Sequence, residues 1–353
     1  HKCETCPCPG ATKQKFTHTE RNKMLRIRTL LNKRPVAHLL SRSSTRSKVT
    51  AANDDNTFDG HRNTVVMSFG DGTQGALGLP AAITGHGADA YEPTPIPGLP
   101  GDVIRVSAGH YHSLAVTSGG QLWAWGRDQE AQLGRGAASS RDTWSEPKRV
   151  EGLDGVQVVS AFASGVVSAA VGNDGSLWVW GRSKRGQLGL GDGIIETPVP
   201  SRVGALAGER ITKVSFGWGH ALALSEDGKL FGWGYHADGR IGNVGGIAEV
   251  SPLDSVARVS NGDPEVAERL VLEDMDKEKD MPVIWEPCFV EELHGSKVMD
   301  VACGLDHSLV LCGDGTLFSS GSNVYGQLGR RSTDIGLFPV DVTSNHPLSI
   351  ASG

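Results

Sequence analysis

DGSLWVWG at residues 174–181, followed by GQLG at residues 186–189, is one copy of a sequence that returns along the chain. The four-residue ending recurs as GALG at 75–78, AQLG at 131–134, GRIG at 239–242 and GQLG at 326–329. The final glycines of successive copies are 56, 55, 53 and 87 residues apart. A period of about 54 residues indicates a tandem repeat of one structural unit. The long last gap indicates an insertion, which we place at about residues 243–290.

Each copy also contains a hairpin signal between two strand patterns. Asp-Gly or Gly-Gly, which favour the positive φ angles of two-residue hairpin turns, stands at residues 119–120, 174–175, 227–228 and 314–315. The strand after each turn is apolar on both faces and must be covered on both. The segment before it, such as residues 108–116, has the pattern of another strand, with early glycines suited to crowding at a central channel. Blades sandwiched between neighbours supply such cover, so we predict an all-β chain forming a β-propeller of four-stranded blades.

The combined pattern of the copies carries a family resemblance. Gly-x-x-His-Ser/Ala-Leu, then Asp-Gly-x-Leu-x-x-Trp-Gly, then Gly-Gln-Leu-Gly resembles the regulator-of-chromosome-condensation repeat over about residues 65–353. The resemblance implies a seven-bladed propeller, of which about five blades are present here. Residues 350–353 align with residues 301–304 at the start of a repeat, so we expect an incomplete propeller over residues 58–353. Residues 66–72 and 109–116 are most similar to plant mitochondrial members of the family.

The first 53 residues differ in charge from the rest of the chain. They hold 12 of the 34 basic residues and 2 of the 40 acidic residues, a net charge of +10. From Arg21 to Asn53 the sequence is rich in arginine, serine and leucine and contains no acid, which is the profile of an organelle transit peptide. We predict that residues 1–23 lie upstream of the true initiator, Met24, and that residues 24–57 are a disordered mitochondrial transit peptide. The alternative is a basic arm that binds nucleic acid.

Several classes of protein are disfavoured by the composition. The six cysteines have no regular spacing, so a disulfide-stapled secreted domain is not indicated, and no apolar run reaches the ~18 residues of a membrane span. Cys3, Cys6 and Cys8 lack a fourth ligand at zinc-site spacing. GDGTQG at residues 70–75 matches a dinucleotide-binding fingerprint, but it is the first copy of the repeat rather than a turn between a strand and a helix. We therefore predict no metal, no cofactor and no membrane association.

The departures from the repeat are the candidate functional residues, since repeat residues explain the fold. Three histidines occupy one repeat position and are interpreted as core or rim residues that tie adjacent blades together by hydrogen bonds: His112, His220 and His307. The copy at residues 163–168 lacks both the glycine and the histidine. The candidate partner-binding residues on a propeller face and in the acidic insertion are His110, Tyr111, Trp218, Asp306, Glu273, Asp274 and Asp276. For the insertion, a solvated loop without a partner is the alternative.

The basic head and the family resemblance imply a non-catalytic scaffold of the mitochondrial matrix that supports intron splicing and complex I biogenesis. Residues 54–353 carry 22 basic and 38 acidic residues, a net charge of −16, so we expect action through protein partners rather than direct binding to a phosphate backbone. The resemblance leaves two alternatives. One is guanine-nucleotide exchange on a small GTPase, the activity of the founding member of the family. The other is UV-B sensing by tryptophans paired with arginines, but only Trp218 stands in a Gly-x-x-His copy, and no arginine does.

Overall fold

The computed structural model describes residues 64–80, 89–136, 140–244, 282–332, 334–342 and 347–352. Within these ranges the chain is a succession of β-strands, and its helical elements are 3-10 turns of three residues each. The segment 1–23, the predicted transit peptide and most of the insertion lie outside the described residues. No helix in the described ranges is both long enough and apolar enough to span a bilayer.

Four antiparallel sheets of four strands follow one another along the chain, which confirms the predicted all-β fold. We call them blades 1 to 4, and in each one consecutive strands pair as a meander. A two-stranded sheet precedes them, formed by β1 (Met67–Gly70) and β2 (Ala90–Pro95), so about five blades are represented, as predicted.

Blade 1 contains β3 (Val103–Ala108), β4 (His112–Thr117), β5 (Leu122–Gly126) and β6 (Lys148–Arg149). Blade 2 contains β7 (Val158–Ala163), β8 (Val167–Gly172), β9 (Leu177–Arg182) and β10 (Glu196–Arg202). Blade 3 contains β11 (Ile211–Phe216), β12 (His220–Ser225), β13 (Leu230–Tyr235) and β14 (Val283–Phe289). Blade 4 contains β15 (Val298–Cys303), β16 (His307–Cys312), β17 (Leu317–Gly321) and β18 (Phe338–Val340).

The hairpin signals join the second and third strands of each blade. The glycine at the second position of each Gly-Gly or Asp-Gly pair has a positive φ, from 76° at Gly120 to 88° at Gly315, as the two-residue turn requires. The third strands β5, β9 and β13 are almost entirely buried on both faces. Contacts between successive blades are concentrated in the first two strands, so this edge of each blade lies toward the propeller axis.

The side chain at the end of the third strand, a tryptophan in blades 1 to 3, fixes each blade to the preceding repeat. In three blades its indole N–H donates to a backbone carbonyl in the preceding copy of the four-residue ending. The three bonds are Trp125 Nε1 to Ala76 O at 3.1 Å, Trp180 Nε1 to Gln132 O at 2.9 Å and Trp233 Nε1 to Gln187 O at 2.8 Å. In blade 4 Ser320 takes the place of tryptophan and donates to Arg240 O at 3.3 Å. These tryptophans are therefore packing residues between blades.

The last glycine of the repeat ending is needed for the same contact. Gly134 and Gly189 have φ of 66° and 64°, a left-handed conformation that disfavours side chains. A Cβ on either residue would lie 2.8 Å from the Nε1 atom of the tryptophan in the next blade. The sequence therefore places glycine where one blade approaches the next most closely.

The structure gives the insertion between the third and fourth strands of blade 3 a shorter range of residues than the predicted 243–290. Residues 283–289 were predicted to belong to the insertion, but they form β14 and pair with β13. Val244 forms a β-bridge with Val290, directly after β14. The extra residues beyond the repeat thus fall within 245–281, because the fourth strand must remain in place to complete the blade.

Candidate functional site

One face of the propeller is formed by the Gly-x-x-His segments, which are turns rather than strand interiors. Residues 108–116 were predicted to form a single strand, and this prediction was wrong. β3 ends at Ala108 and β4 begins at His112, with the Gly109 N–H donating to His112 O at 2.9 Å across the turn. A Cβ on Gly109 would lie 1.9 Å from Ser164 O of blade 2, so the glycine permits contact between blades.

The loops that follow the third strands lie on the same face. Arg127 N–H donates to Tyr111 O at 2.8 Å, and Tyr235 N–H donates to Gly219 O at 2.8 Å. We define the turn face as the turns 109–111, 164–166, 217–219 and 304–306 together with these loops. The opposite ends of the first strands, 16 Å or so away at ~3.3 Å per residue, belong to the other face.

The histidines of the turns connect adjacent blades, as predicted. His112 Nε2 lies 2.7 Å from Ser168 Oγ, His220 Nε2 lies 2.9 Å from Ser308 Oγ, and His307 Nε2 lies 2.7 Å from Ser352 Oγ. These links occupy the Nε2 atoms of the three imidazoles. No group of three His, Cys, Asp or Glu residues suited to a metal ion occurs in the described part of the chain.

The protonation state of His112 follows from its partners. Ser168 Oγ donates its only proton to Gln132 O at 2.7 Å, so the His112 Nε2–H must donate to the serine. His112 Nδ1 has no hydrogen-bond partner among the described residues. Burial, with a smaller contribution from nearby His110, lowers the pKa of His112 to about 3. Burial, with a contribution from Arg240, lowers the pKa of His220 to about 3, so both are neutral at physiological pH.

The boundary between blades 2 and 3 lacks these polar links. Val167 stands where the other blades have histidine, and Ala221 stands where blade 2 has Ser168. Phe162 replaces a serine that in blade 1, as Ser107, accepts a hydrogen bond from Ala163 N–H at 3.0 Å. Val167 and Ala221 belong to one buried apolar cluster, with Phe162 packed against it. At this pair of positions the degenerate copy therefore has an apolar contact in place of the histidine–serine hydrogen bond.

Four of the proposed partner-binding residues lie on the turn face. His110 and Tyr111 are exposed, and 41% of the Tyr111 surface is accessible. Trp218 is 52% exposed, and the adjacent turn presents Leu305, a residue that the sequence analysis did not select, at 54%. Asp306 is half-buried. The other three, Glu273, Asp274 and Asp276, lie outside the described residues.

Trp218 stacks on an arginine from the neighbouring blade. The guanidinium carbon of Arg185 lies 3.7 Å from the centre of the Trp218 ring. A Cβ on Gly219 would lie 2.7 Å from Arg185 Cδ, so glycine at this position leaves room for the arginine stem. Arg185 belongs to the loop after β9 and was not among the predicted residues, because the Gly-x-x-His motif contains no arginine. The sequence feature that could have identified Arg185 is the basic pair Lys184-Arg185 directly before a repeat ending.

Asp306 and Tyr111 contact arginines as well. Asp306 Oδ1 accepts from Arg240 Nη1 at 2.9 Å, and this buried guanidinium also bonds Asp238 at 2.9 Å. Asp306 therefore joins blade 4 to blade 3. Arg127 lies 5.1 Å from the centre of the Tyr111 ring and pairs with Glu130 at 2.5 Å. The turn face thus presents aromatic rings supported by arginines, a composition enriched at protein–protein interfaces.

Comparison with known proteins agrees with this architecture. The sequence profile of the RCC1-like domain matches residues 65–353. The chain is 31% identical to the ultraviolet-B receptor UVR8 of Arabidopsis thaliana over 265 residues, which are 75% of this chain and 50% of the receptor. It is 32% identical to human protein RCC2 over 219 residues, which are 62% of this chain and 39% of that protein. The chain spans half or less of the length of these relatives.

The fold is also found among solved structures. Human WBSCR16 superposes with a TM-score of 0.62 at 23% sequence identity, covering 81% of this chain and 65% of that protein. This similarity supports the propeller architecture. The profile match across residues 65–353 shows that the chain belongs to the RCC1-like domain family.

Proposed function

We propose that this propeller is a non-catalytic scaffold that binds protein partners through the turn face. The observation that carries the proposal is Trp218, a large aromatic residue that is half exposed on a turn held by both neighbouring blades. Its backbone N–H donates to Leu305 O of blade 4 at 3.0 Å. Gly217 O accepts from Gln187 Nε2 of blade 2 at 2.8 Å. A rigid aromatic side chain loses little freedom on binding, which favours a role as an interface anchor.

We further propose that the scaffold acts in the mitochondrial matrix, in RNA processing that supports complex I biogenesis. The acid-free, Arg- and Ser-rich sequence from Arg21 to Asn53 supports import. The net charge of −16 over residues 54–353 supports contact with proteins rather than with the phosphates of RNA. Import is tested by sequencing the N-terminus of the mature protein, and an uncleaved head would contradict it. Transcript profiling after loss of the protein tests the process, and normal levels of spliced transcripts would contradict that role.

The binding function is tested by substituting alanine for one exposed residue on each of the two faces. Trp218→Ala removes an exposed side chain from the turn face, whereas Met299→Ala removes one of similar exposure, 54%, at the opposite end of a first strand. We expect Trp218→Ala to weaken the binding of a co-purified partner at least about tenfold, as for interface anchors, and Met299→Ala to leave it unchanged. Equal affinity for both variants would refute the proposed face. Nucleotide-release measurements on the partner, where it is a small GTPase, distinguish a scaffold from an exchange factor.

A further inference from the structure

The loop after the third strand of blade 2 is the most basic of the four equivalent loops. Residues 181–190 contain three cations and no acidic residue. The equivalent segments 126–135 and 234–243 each contain as many acids as Lys and Arg residues, and 321–330 contains one cation. We define the Trp218 sector as Trp218 with the three cations Arg182, Lys184 and Arg185. This sector is a local positive surface on a chain whose net charge is −6.

We propose that the Trp218 sector binds an acidic segment of a partner protein, with a carboxylate at the cations and an apolar side chain against the indole. The inference rests on the proposed binding function and specifies the chemistry of the partner. The Arg185 guanidinium lies 3.7 Å from the Trp218 ring, so charge and apolar surface are adjacent. A planar guanidinium also binds carboxylates through two parallel hydrogen bonds.

The remaining cations of the sector are accessible to a partner. Lys184 is exposed. Arg182 lies 3.7 Å from Glu196, and both side chains are about half exposed. Because a surface pair of this kind contributes about 1 kcal/mol or less, Arg182 can exchange Glu196 for a carboxylate of the partner at little cost.

The sector is held in shape before any partner binds. Arg185 N–H donates to Ser183 Oγ at 3.2 Å, and Ser183 Oγ donates to Gln187 Oε1 at 2.9 Å. Gln187 in turn donates to Gly217 O, directly before Trp218. This chain of hydrogen bonds couples the basic loop of blade 2 to the turn of blade 3, which reduces the ordering cost of binding.

The charge of the whole chain favours a protein segment over nucleic acid. Affinity for a nucleic acid requires many phosphate contacts along a basic surface. The excess of 16 negative charges beyond residue 53 works against a long polyanion. A short acidic segment needs only the three local cations, and it gains apolar contact with the indole.

The test uses fluorescence anisotropy with a labelled synthetic peptide of about 12 residues, rich in Glu and Asp around one Phe. We expect binding that weakens with added salt, that falls at least about tenfold in Trp218→Ala and in Lys184→Glu, and that is unchanged in Met299→Ala. Arg185→Lys keeps the charge but loses the planar stack, so it should weaken binding without unfolding the protein. Thermal unfolding of each variant provides the folding control.

Two results would overturn the inference. One is equal affinity of the wild type, Trp218→Ala and Lys184→Glu for the acidic peptide. The other is tighter binding of oligouridylate than of the acidic peptide, which would assign the sector to RNA. If Trp218→Ala still loses its co-purified partner while binding of the acidic peptide is unaffected, the proposed binding face stands and only the acidic chemistry fails.

Discussion

The boundary between blades 2 and 3 has Val167 and Ala221 at the positions that His112 and Ser168 occupy between blades 1 and 2. The double variant His112→Val/Ser168→Ala would therefore give the first boundary the same apolar pair. The double variant should fold, because one boundary of this protein already uses the apolar pair. Removing both hydrogen-bonding partners together is also less damaging than leaving one buried and unsatisfied. The informative quantity is how the free energy of unfolding changes with pH.

The size of that change follows from the pKa of His112. Burial lowers the pKa in the folded state to about 3, against about 6.5 in an unfolded chain. The unfolded state therefore binds the additional proton as the pH falls below about 6.5, and stability is lost from there down to about pH 3. Each pH unit in this window removes ~1.4 kcal/mol, so lowering the pH from 7 to 5 should cost the wild type about 2 kcal/mol through His112 alone.

Urea unfolding followed by circular dichroism at pH 7 and pH 5 measures the difference. His112→Val/Ser168→Ala should lose about 2 kcal/mol less than the wild type between these pH values, since His220 titrates in both proteins. The matched control is Ser168→Ala alone, which keeps the imidazole and should retain the full pH dependence. An equal loss of free energy in the double variant and the wild type would show that His112 does not cause the pH dependence.

Three further substitutions test the contacts between blades. Gly134→Ala should destabilise the protein by more than about 2 kcal/mol, because its Cβ would meet the indole nitrogen of the next blade, whereas Gly155→Ala, also at positive φ but facing open space, should cost about 1 kcal/mol. Asp306→Asn weakens the pair with a buried guanidinium and should cost about 1–3 kcal/mol, while Asp154→Asn at an exposed pair should change stability by less than about 1 kcal/mol. Ala131→Gly relieves a φ of 55° and should stabilise the fold by about 0.5 kcal/mol, an effect that a loss of stability in thermal unfolding would contradict.

The period of the repeat was enough to predict the blades, because each copy specifies one sheet by local signals. The hairpin glycines and the apolar third strands act within about 15 residues of each other, so their roles follow from sequence spacing. The inter-blade histidines were predictable for the same reason, since one position recurs in three copies.

The candidate site was predicted less completely, because it depends on which loops meet across blade boundaries. Trp218 was identified as a departure from the repeat, but its partner Arg185 is 33 residues away in another blade. The degenerate copy at Val167 was visible in the sequence, yet its match with Ala221 requires knowing which positions face each other. The turn at residues 109–111 was drawn as strand because its flanking residues alternate as a strand does.

Site-specific photo-cross-linking tests the proposed binding face most directly. A photoreactive amino acid is placed at position 218 on the turn face, and in a second protein at position 299 on the opposite face, where exposure is similar. We predict that position 218 cross-links to a discrete protein partner in cells and that position 299 does not. Cross-linking of that partner from position 299 alone, or of RNA rather than protein from position 218, would contradict the account.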